Sequence, residues 1–163
     1  MEIEKDIQVS VVMGSQSDWQ TMQAACDVLE QLDVSFEKKI VSAHRTPDRL
    51  YEYANLLRKR KIKVVIAGAG GAAHLPGMIA SKTDIPVIGV PINATDLRGV
   101  DSLYSIVQMP RGYPVATMAI GAPGAFNAAI FAIQILAVSD KIIGQKIQDW
   151  RTDTTNRVKD EPE

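Results

Sequence analysis

Cysteine is almost absent: Cys26 stands alone among 163 residues, which excludes an internal disulfide and any cysteine-based metal cluster. There is no surplus of basic charge either. Lysine and arginine number 18 against 19 acids, a formal net charge of −1, so no basic field is offered to nucleic acid. No apolar run approaches the roughly 20 residues that span a bilayer. The opening residues, Met1-Glu2-Ile3-Glu4-Lys5-Asp6, are charged from the start and hold no secretory apolar stretch. Internal repeats, low-complexity segments, a Walker lysine motif and a His/Cys metal set are missing as well. These absences point to a reduced, cytoplasmic, metal-independent protein. What is present, 46% hydrophobic and 23% charged residues, is ordinary for a globular chain. The length suits a single domain spanning 1–163, with a core of about 8–150 and a polar, frayed tail over 152–163.

Apolar runs of strand length alternate with helical patterns, the mark of βαβ units around a parallel sheet. Strands are expected at Val9–Met13, Phe36–Val41, Val64–Ala67, Pro86–Pro91 and Val115–Ile120. Asp18 opens a helix that carries Met22, Cys26, Leu29 and Leu32 on one face. Thr46-Pro47-Asp48 reads as an N-cap, a proline at the first helical position and an acid in the first turn. That helix turns Leu50, Ala54 and Leu57 to the core, and Arg58-Lys59-Arg60-Lys61 suits its C-terminal dipole. From Ala125 to Leu136 the chain is apolar almost all round. A helix of that kind needs cover on every side; in a domain this small a second subunit is the expected cover, a central helix buried wholly by its own chain being the alternative.

Ligands of open parallel sheets sit beyond the carboxyl ends of the strands, where three unusual loops fall. Gly14-Ser15-Gln16-Ser17-Asp18 combines a glycine turn, two hydroxyls and a helix start, which suits a phosphate. Asp18 would repel that phosphate, so it caps the helix or binds sugar hydroxyls; the bland reading of the loop is a plain N-cap. Ser42-Ala43-His44-Arg45 places a proton carrier beside a fixed cation. His44 is accordingly a candidate acid and base, or else a structural hydrogen-bonder. Ser42 has no third member for a hydrolase triad. Gly68-Ala69-Gly70-Gly71-Ala72-Ala73-His74 imitates a dinucleotide fingerprint but follows the third strand rather than the first. Its glycines fit close approach to a small substrate, and His74 is open as a second base, a substrate contact or a structural residue.

Read together, Met13-Gly-Ser-Gln-Ser-Asp-Trp19, Val41-Ser-Ala-His-Arg-Thr-Pro47 and Ala67-Gly-Ala-Gly-Gly-Ala-Ala-His-Leu-Pro-Gly77 resemble the N5-carboxyaminoimidazole ribonucleotide mutase (PurE) family of purine synthesis. Gly99-Val-Asp-Ser-Leu-Tyr-Ser-Ile-Val-Gln-Met-Pro110 and Pro114-Val-Ala-Thr117 extend the likeness over roughly residues 8–150. The resemblance implies a three-layer α/β/α sandwich with a central parallel five-strand sheet, flavodoxin-like or Rossmann-like. It also implies a homo-octamer, no metal, no ATP and no organic cofactor. The implied reaction moves a carboxylate from the exocyclic nitrogen of a phosphoribosyl imidazole to the neighbouring ring carbon, with His44 as general acid and base. Ser15, Ser17, Asp18, Ser42, Arg45, Gly70, Gly71 and His74 would hold the ribonucleotide, and an upstream ATP-dependent carboxylase would supply it. A branch that carboxylates aminoimidazole ribonucleotide directly is the rival within the family. The bacterial-type motifs and the lack of a fused synthetase domain favour the mutase. Tyr113 stands where the family commonly has a smaller aliphatic residue. Outside the family, a flavin carrier would purify yellow, a receiver domain needs acids after the first strand that this chain lacks, and a non-catalytic ribonucleotide-binding module would not turn over.

Overall fold

The computed structural model describes residues 6–162. Five strands, β1 (Val9–Met13), β2 (Phe36–Ile40), β3 (Val64–Gly70), β4 (Val87–Ile92) and β5 (Ala116–Thr117), alternate with six helices. These are α1 (Trp19–Gln31), α2 (Pro47–Leu56), α3 (Leu75–Ala80), α4 (Val100–Val107), α5 (Ala122–Ala137) and α6 (Lys141–Asn156). All strands are parallel, in the order β2-β1-β3-β4-β5. That is the flavodoxin-like order, within a three-layer α/β/α arrangement.

Side chains on a strand alternate between faces, and here the alternation sorts the core into two halves. Val9, Val11, Met13, Val64 and Ile66 pack with α1, α5 and α6. Val12, Val65, Ala67 and Ala69 pack with residues of α2, α3 and α4. Because both faces are covered, β1, β3 and β4 are buried through almost their whole length. The chain leaves β1 towards one face and β3 towards the other. This makes the β1/β3 boundary a topological switch point, where a crevice opens at the carboxyl edge.

One polar cluster joins the sheet to α2 near the amino ends of β1 and β2. Ser10, fully buried in β1, donates to Glu37 Oε1 of β2 at 2.8 Å and lies 2.7 Å from the Tyr53 hydroxyl of α2. With the serine proton committed to Glu37, Tyr53 is the donor to Ser10. Arg60 pairs with the other oxygen of Glu37. Burial pushes the Tyr53 hydroxyl well up from its ordinary pKa, so it remains a donor across the working range. The cluster ties β2 to α2, the two elements on either side of the His44 loop.

Four expectations need correction. The fifth strand keeps only Ala116–Thr117. Gly89 and Pro91 turn their carbonyls to this edge, accepting from Met118 and Gly121, but Pro91 has no N–H to return, so the ladder is interrupted. Chain from 152 to 156 is not frayed: α6 continues to Asn156. The hydroxyls of Thr152, Thr154 and Thr155 donate to carbonyls one turn back, so these side chains are satisfied without leaving the helix. Thr46 sits at the N-cap of α2 but makes no side-chain cap bond. Its hydroxyl is spent within the preceding turn, accepting from Ser42 N at 3.0 Å and donating to Ser42 O at 2.9 Å. Finally, the apolar α5 finds most of its cover inside its own chain, against α1, α6, β3 and β4. Ala125, Ala128, Ala129, Ala132 and Ile133 are fully buried, while Asn127, Phe131 and Val138 form the outward stripe. Alanine at the contacts lets α1 approach closely, so a second subunit is not needed to explain this helix. Helices α3, α4 and α6 had no counterpart in the sequence reading.

Candidate active site

The first loop leaves β1 at Gly14. Ser15 is extended and its hydroxyl accepts from Ser17 N at 3.1 Å and meets Ser17 Oγ at 2.7 Å. The turn Gln16–Asp18 then feeds α1. Asp18 occupies the N-cap but makes no side-chain cap bond; it is buried and lines a cavity instead. Of its two sequence readings, the capping role is therefore not realised. Burial raises the Asp18 carboxyl above its ordinary pKa, while the backbone amides of Ser15 and Gly14 and the charge on Arg45 pull it back.

The second loop follows β2. Ser42 O accepts from Thr46 N at 3.0 Å, closing a tight turn with Ala43, His44 and Arg45 at its tip. Arg45 folds back rather than out. Its Nε donates to Ser42 Oγ at 3.1 Å and its Nη2 donates to Gly14 O at 2.9 Å. One guanidinium thus laces the β2 loop to the β1 loop, and three of its five N–H groups remain for a ligand. Being planar and permanently charged, it suits a phosphate or carboxylate there.

The third loop extends β3 through Gly70 and turns at Gly71. A side chain at Gly70 would put its Cβ 2.5 Å from Ala94 Cβ, so that position is closed by packing against the chain beyond β4. Gly71 has φ +62°, the left-handed region that glycine enters without steric cost. Its freedom turns the chain and brings His74 over the His44 loop. His44 Nε2 and His74 Nδ1 stand 2.7 Å apart. The ring centroids are 4.8 Å apart and the planes 86° to one another, so the rings meet nitrogen to nitrogen rather than stacked.

These pieces enclose a cavity of about 310 Å³, lined by Ser15, Asp18, Ser42, His44, Arg45, Gly70 and His74. The volume lies at the small end of the range for small-molecule sites. Seven of the nine site residues expected from sequence therefore share one wall. Ser17 reaches the cavity only through Ser15, and Gly71 shapes the turn without lining it. Gly14, Ala43, Ala69, Ala72, Leu75 and Ala94 also line it and were not singled out. They carry no reactive group, and only Ala94 lies outside the motif loops. Its position just past the carboxyl end of β4 was the one signal available. Among the described residues, no three His, Cys, Asp or Glu side chains gather as a metal site requires. No helix among the described residues is long and apolar enough to cross a membrane.

A model of the AIR carboxylase family matches residues 8–157. The chain belongs to this family. A Bacillus subtilis relative named N5-carboxyaminoimidazole ribonucleotide mutase is 58% identical over 92% of this chain and 93% of its own length. One from Escherichia coli K12 with the same name is 57% identical over 95% of this chain and 92% of its own. Among solved structures, Treponema denticola PurE superposes with a TM-score of 0.79 at 27% identity, covering 92% of both chains. In the AIR carboxylase frame, the flavin-carrier and receiver readings of this sheet fall away. Most of the family motifs quoted from sequence fall on the carboxyl edge: the Met13 segment ends β1, the Val41 segment follows β2 and the Ala67 segment ends β3.

Proposed function

We propose that this chain is an isomerase of purine biosynthesis that converts N5-carboxyaminoimidazole ribonucleotide into the 4-carboxylated aminoimidazole ribonucleotide. The supporting observation is its 57–58% identity to several relatives bearing the mutase name, each over more than nine-tenths of the chain. His44 is the general acid and base. As imidazolium it donates a proton to the carbamate nitrogen; the C–N bond breaks, its electron pair stays on nitrogen and CO2 is released. The electron-rich ring carbon attacks that CO2, and neutral His44 takes the proton left on carbon. Proton transfers of this kind contribute roughly 100- to 10,000-fold, and retention of CO2 against the carbon adds an enforced encounter.

The binding roles follow from the cavity. Arg45, with its remaining N–H groups, and the Ser15 hydroxyl and neighbouring amides suit the phosphate. Asp18, an acceptor when ionised, suits the ribose hydroxyls. Ser42 holds Arg45 in place. Gly70 and Gly71 keep the third loop close to the ring. The reaction needs no oxidant, phosphoryl donor or external carboxyl source, and we assign no cofactor or metal to it. The carbamate substrate requires an ATP-dependent carboxylation beforehand, and the compartment is the cytoplasm.

We also propose that the protein works as a homo-octamer. Leu97, Val100, Tyr104 and Val107 project from α4 and the loop before it with 44–64% exposure, an apolar stripe that a subunit contact would cover. Light scattering should give a mass several times the 17.8 kDa chain; a clean monomer would remove this part of the reading.

One competing reaction has a specific motive, the carboxylase description of the matching family model: direct carboxylation of aminoimidazole ribonucleotide by CO2. Turnover decides. The mutase reading expects rapid use of the carbamate and slow use of aminoimidazole ribonucleotide with bicarbonate; the reverse preference would replace it. His44→Asn should keep the fold and substrate binding while losing 100-fold or more in turnover.

A further inference from the structure

We propose that His74 is a positioning residue that holds His44 in one tautomer, so that a single nitrogen of His44, Nδ1, carries out both proton transfers. The inference deepens the mutase reading and rests on it. Its starting point is the 2.7 Å contact between His44 Nε2 and His74 Nδ1. Two ring nitrogens this close share one proton: one donates and the other accepts. If His44 Nε2 is the donor, His74 carries its own proton on Nε2 and offers the Nδ1 lone pair.

This direction is the one compatible with an acid that becomes a base. His44 must pass between imidazolium and neutral imidazole during each turnover. An imidazolium has N–H on both nitrogens, so Nε2–H donates to His74 throughout. When Nδ1 gives its proton to the carbamate nitrogen, the neutral ring left behind is already the Nε2–H tautomer. Its Nδ1 lone pair faces the same reacting atoms and takes the proton from the ring carbon without a ring flip or a tautomer exchange. The opposite direction fails on the first step. With His74 Nδ1–H as donor, His44 Nε2 is an acceptor, and His44 cannot be an imidazolium without setting N–H against N–H. His44 Nδ1 has no protein partner among the described residues, in keeping with a nitrogen reserved for substrate.

The fold supplies this geometry from two separate strands. His44 rides on the turn after β2, and His74 stands at the N-cap of α3, after the Gly71 turn. His74 makes no side-chain cap bond there, so its ring is not committed to the helix. Both histidines are exposed, and replacing either removes little packing.

The chain holds only two histidines, which makes the test direct. Solid-state NMR of protein labelled with 15N-histidine should show His44 as the Nε2–H tautomer when neutral. His74→Leu leaves His44 as the sole signal and should mix its tautomers. A dominant Nδ1–H form of His44 in the unmodified protein would overturn the proposal. In kinetics, His74→Leu should lower kcat by roughly 10- to 100-fold, the size of loss that follows when a metal-bound histidine loses its orienting partner, with KM little changed. His74→Asn keeps an acceptor oxygen and should recover part of that loss. Unchanged kcat in His74→Leu, or equal loss in both variants, would refute the assignment. A wild-type protein without mutase turnover would instead sink the reaction reading, and the tautomer spectrum would still decide the pair.

Discussion

The two edges of the sheet carry cavities of opposite character. The larger, about 790 Å³, lies at the amino edge between the ends of α2 and α3 and the start of β4. The smaller, about 310 Å³, lies at the carboxyl edge. Size alone would favour the amino edge. At the amino edge the charges are already spent: Arg58 pairs with Asp84, and Lys82 lies 4.6 Å from the Tyr51 ring centroid. Helix C-termini and strand starts converge there, so carbonyl ends rather than N–H groups face the groove. At the carboxyl edge two imidazoles, an incompletely used guanidinium, a buried carboxylate and hydroxyls meet within one wall. What makes a site is convergence of unspent polar groups, and the parallel sheet delivers that at one edge only.

Substitutions at matching positions should sharpen this contrast. Arg45→Ala removes the link to Gly14 O and Ser42 Oγ and the cation proposed to hold the phosphate. We expect kcat/KM to fall by roughly 10- to 100-fold, the worth of charged hydrogen bonds; steady-state kinetics would show it. Gly70→Ala forces a Cβ to within 2.5 Å of Ala94 and should cost about 1–3 kcal/mol in stability, read from urea unfolding. A wild-type midpoint would mean that the third loop relaxes freely.

Asp18→Asn separates stability from binding. The folded Asp18 carboxyl is raised by burial, so the folded state favours its protonated form. Its favourable contribution is fully present below the unfolded pKa and is lost as pH rises through the raised folded value. The neutral asparagine escapes that loss. Thermal melts should therefore show Asp18→Asn gaining on wild type as pH rises from acid to neutral, while substrate binding weakens. A pH-independent difference would contradict burial as the cause. Arg58→Ala, at the opposite edge, should change neither turnover nor melting measurably. Asp84 is held below its usual pKa by Arg58, a contribution present above the unfolded pKa and lost as pH falls through the lowered one. Both side chains are exposed, so salt screens the pair. A clear loss of activity in Arg58→Ala would break the comparison.

Much of the fold was legible because it is written in local pattern. The unbroken apolar run Val64–Ala67 marks a strand covered on both faces, and Met22, Cys26 and Leu29 mark the inner face of α1. Other elements were misread for reasons outside their own segments. Strand β5 is short because of Pro91 on its neighbour, and α5 is covered by α1, which precedes it by about a hundred residues. Helices α3 and α4 are only 6 and 8 residues long, too brief for periodicity to rise above noise.

The same division runs through the site. Sequence alone singled out the three loops that line the cavity and the polar side chains in them, because strand ends, glycine turns and side-chain types are local properties. It also placed His44 beside Arg45. Only the tertiary structure decided that Arg45 turns inward to bind the first loop, that Asp18 lines the cavity instead of capping its helix, and that His74 meets His44 nitrogen to nitrogen. Each of those depends on the register of β1, β2 and β3 side by side. Residues thirty positions apart acquire a hydrogen bond only when the sheet has brought their strand ends together.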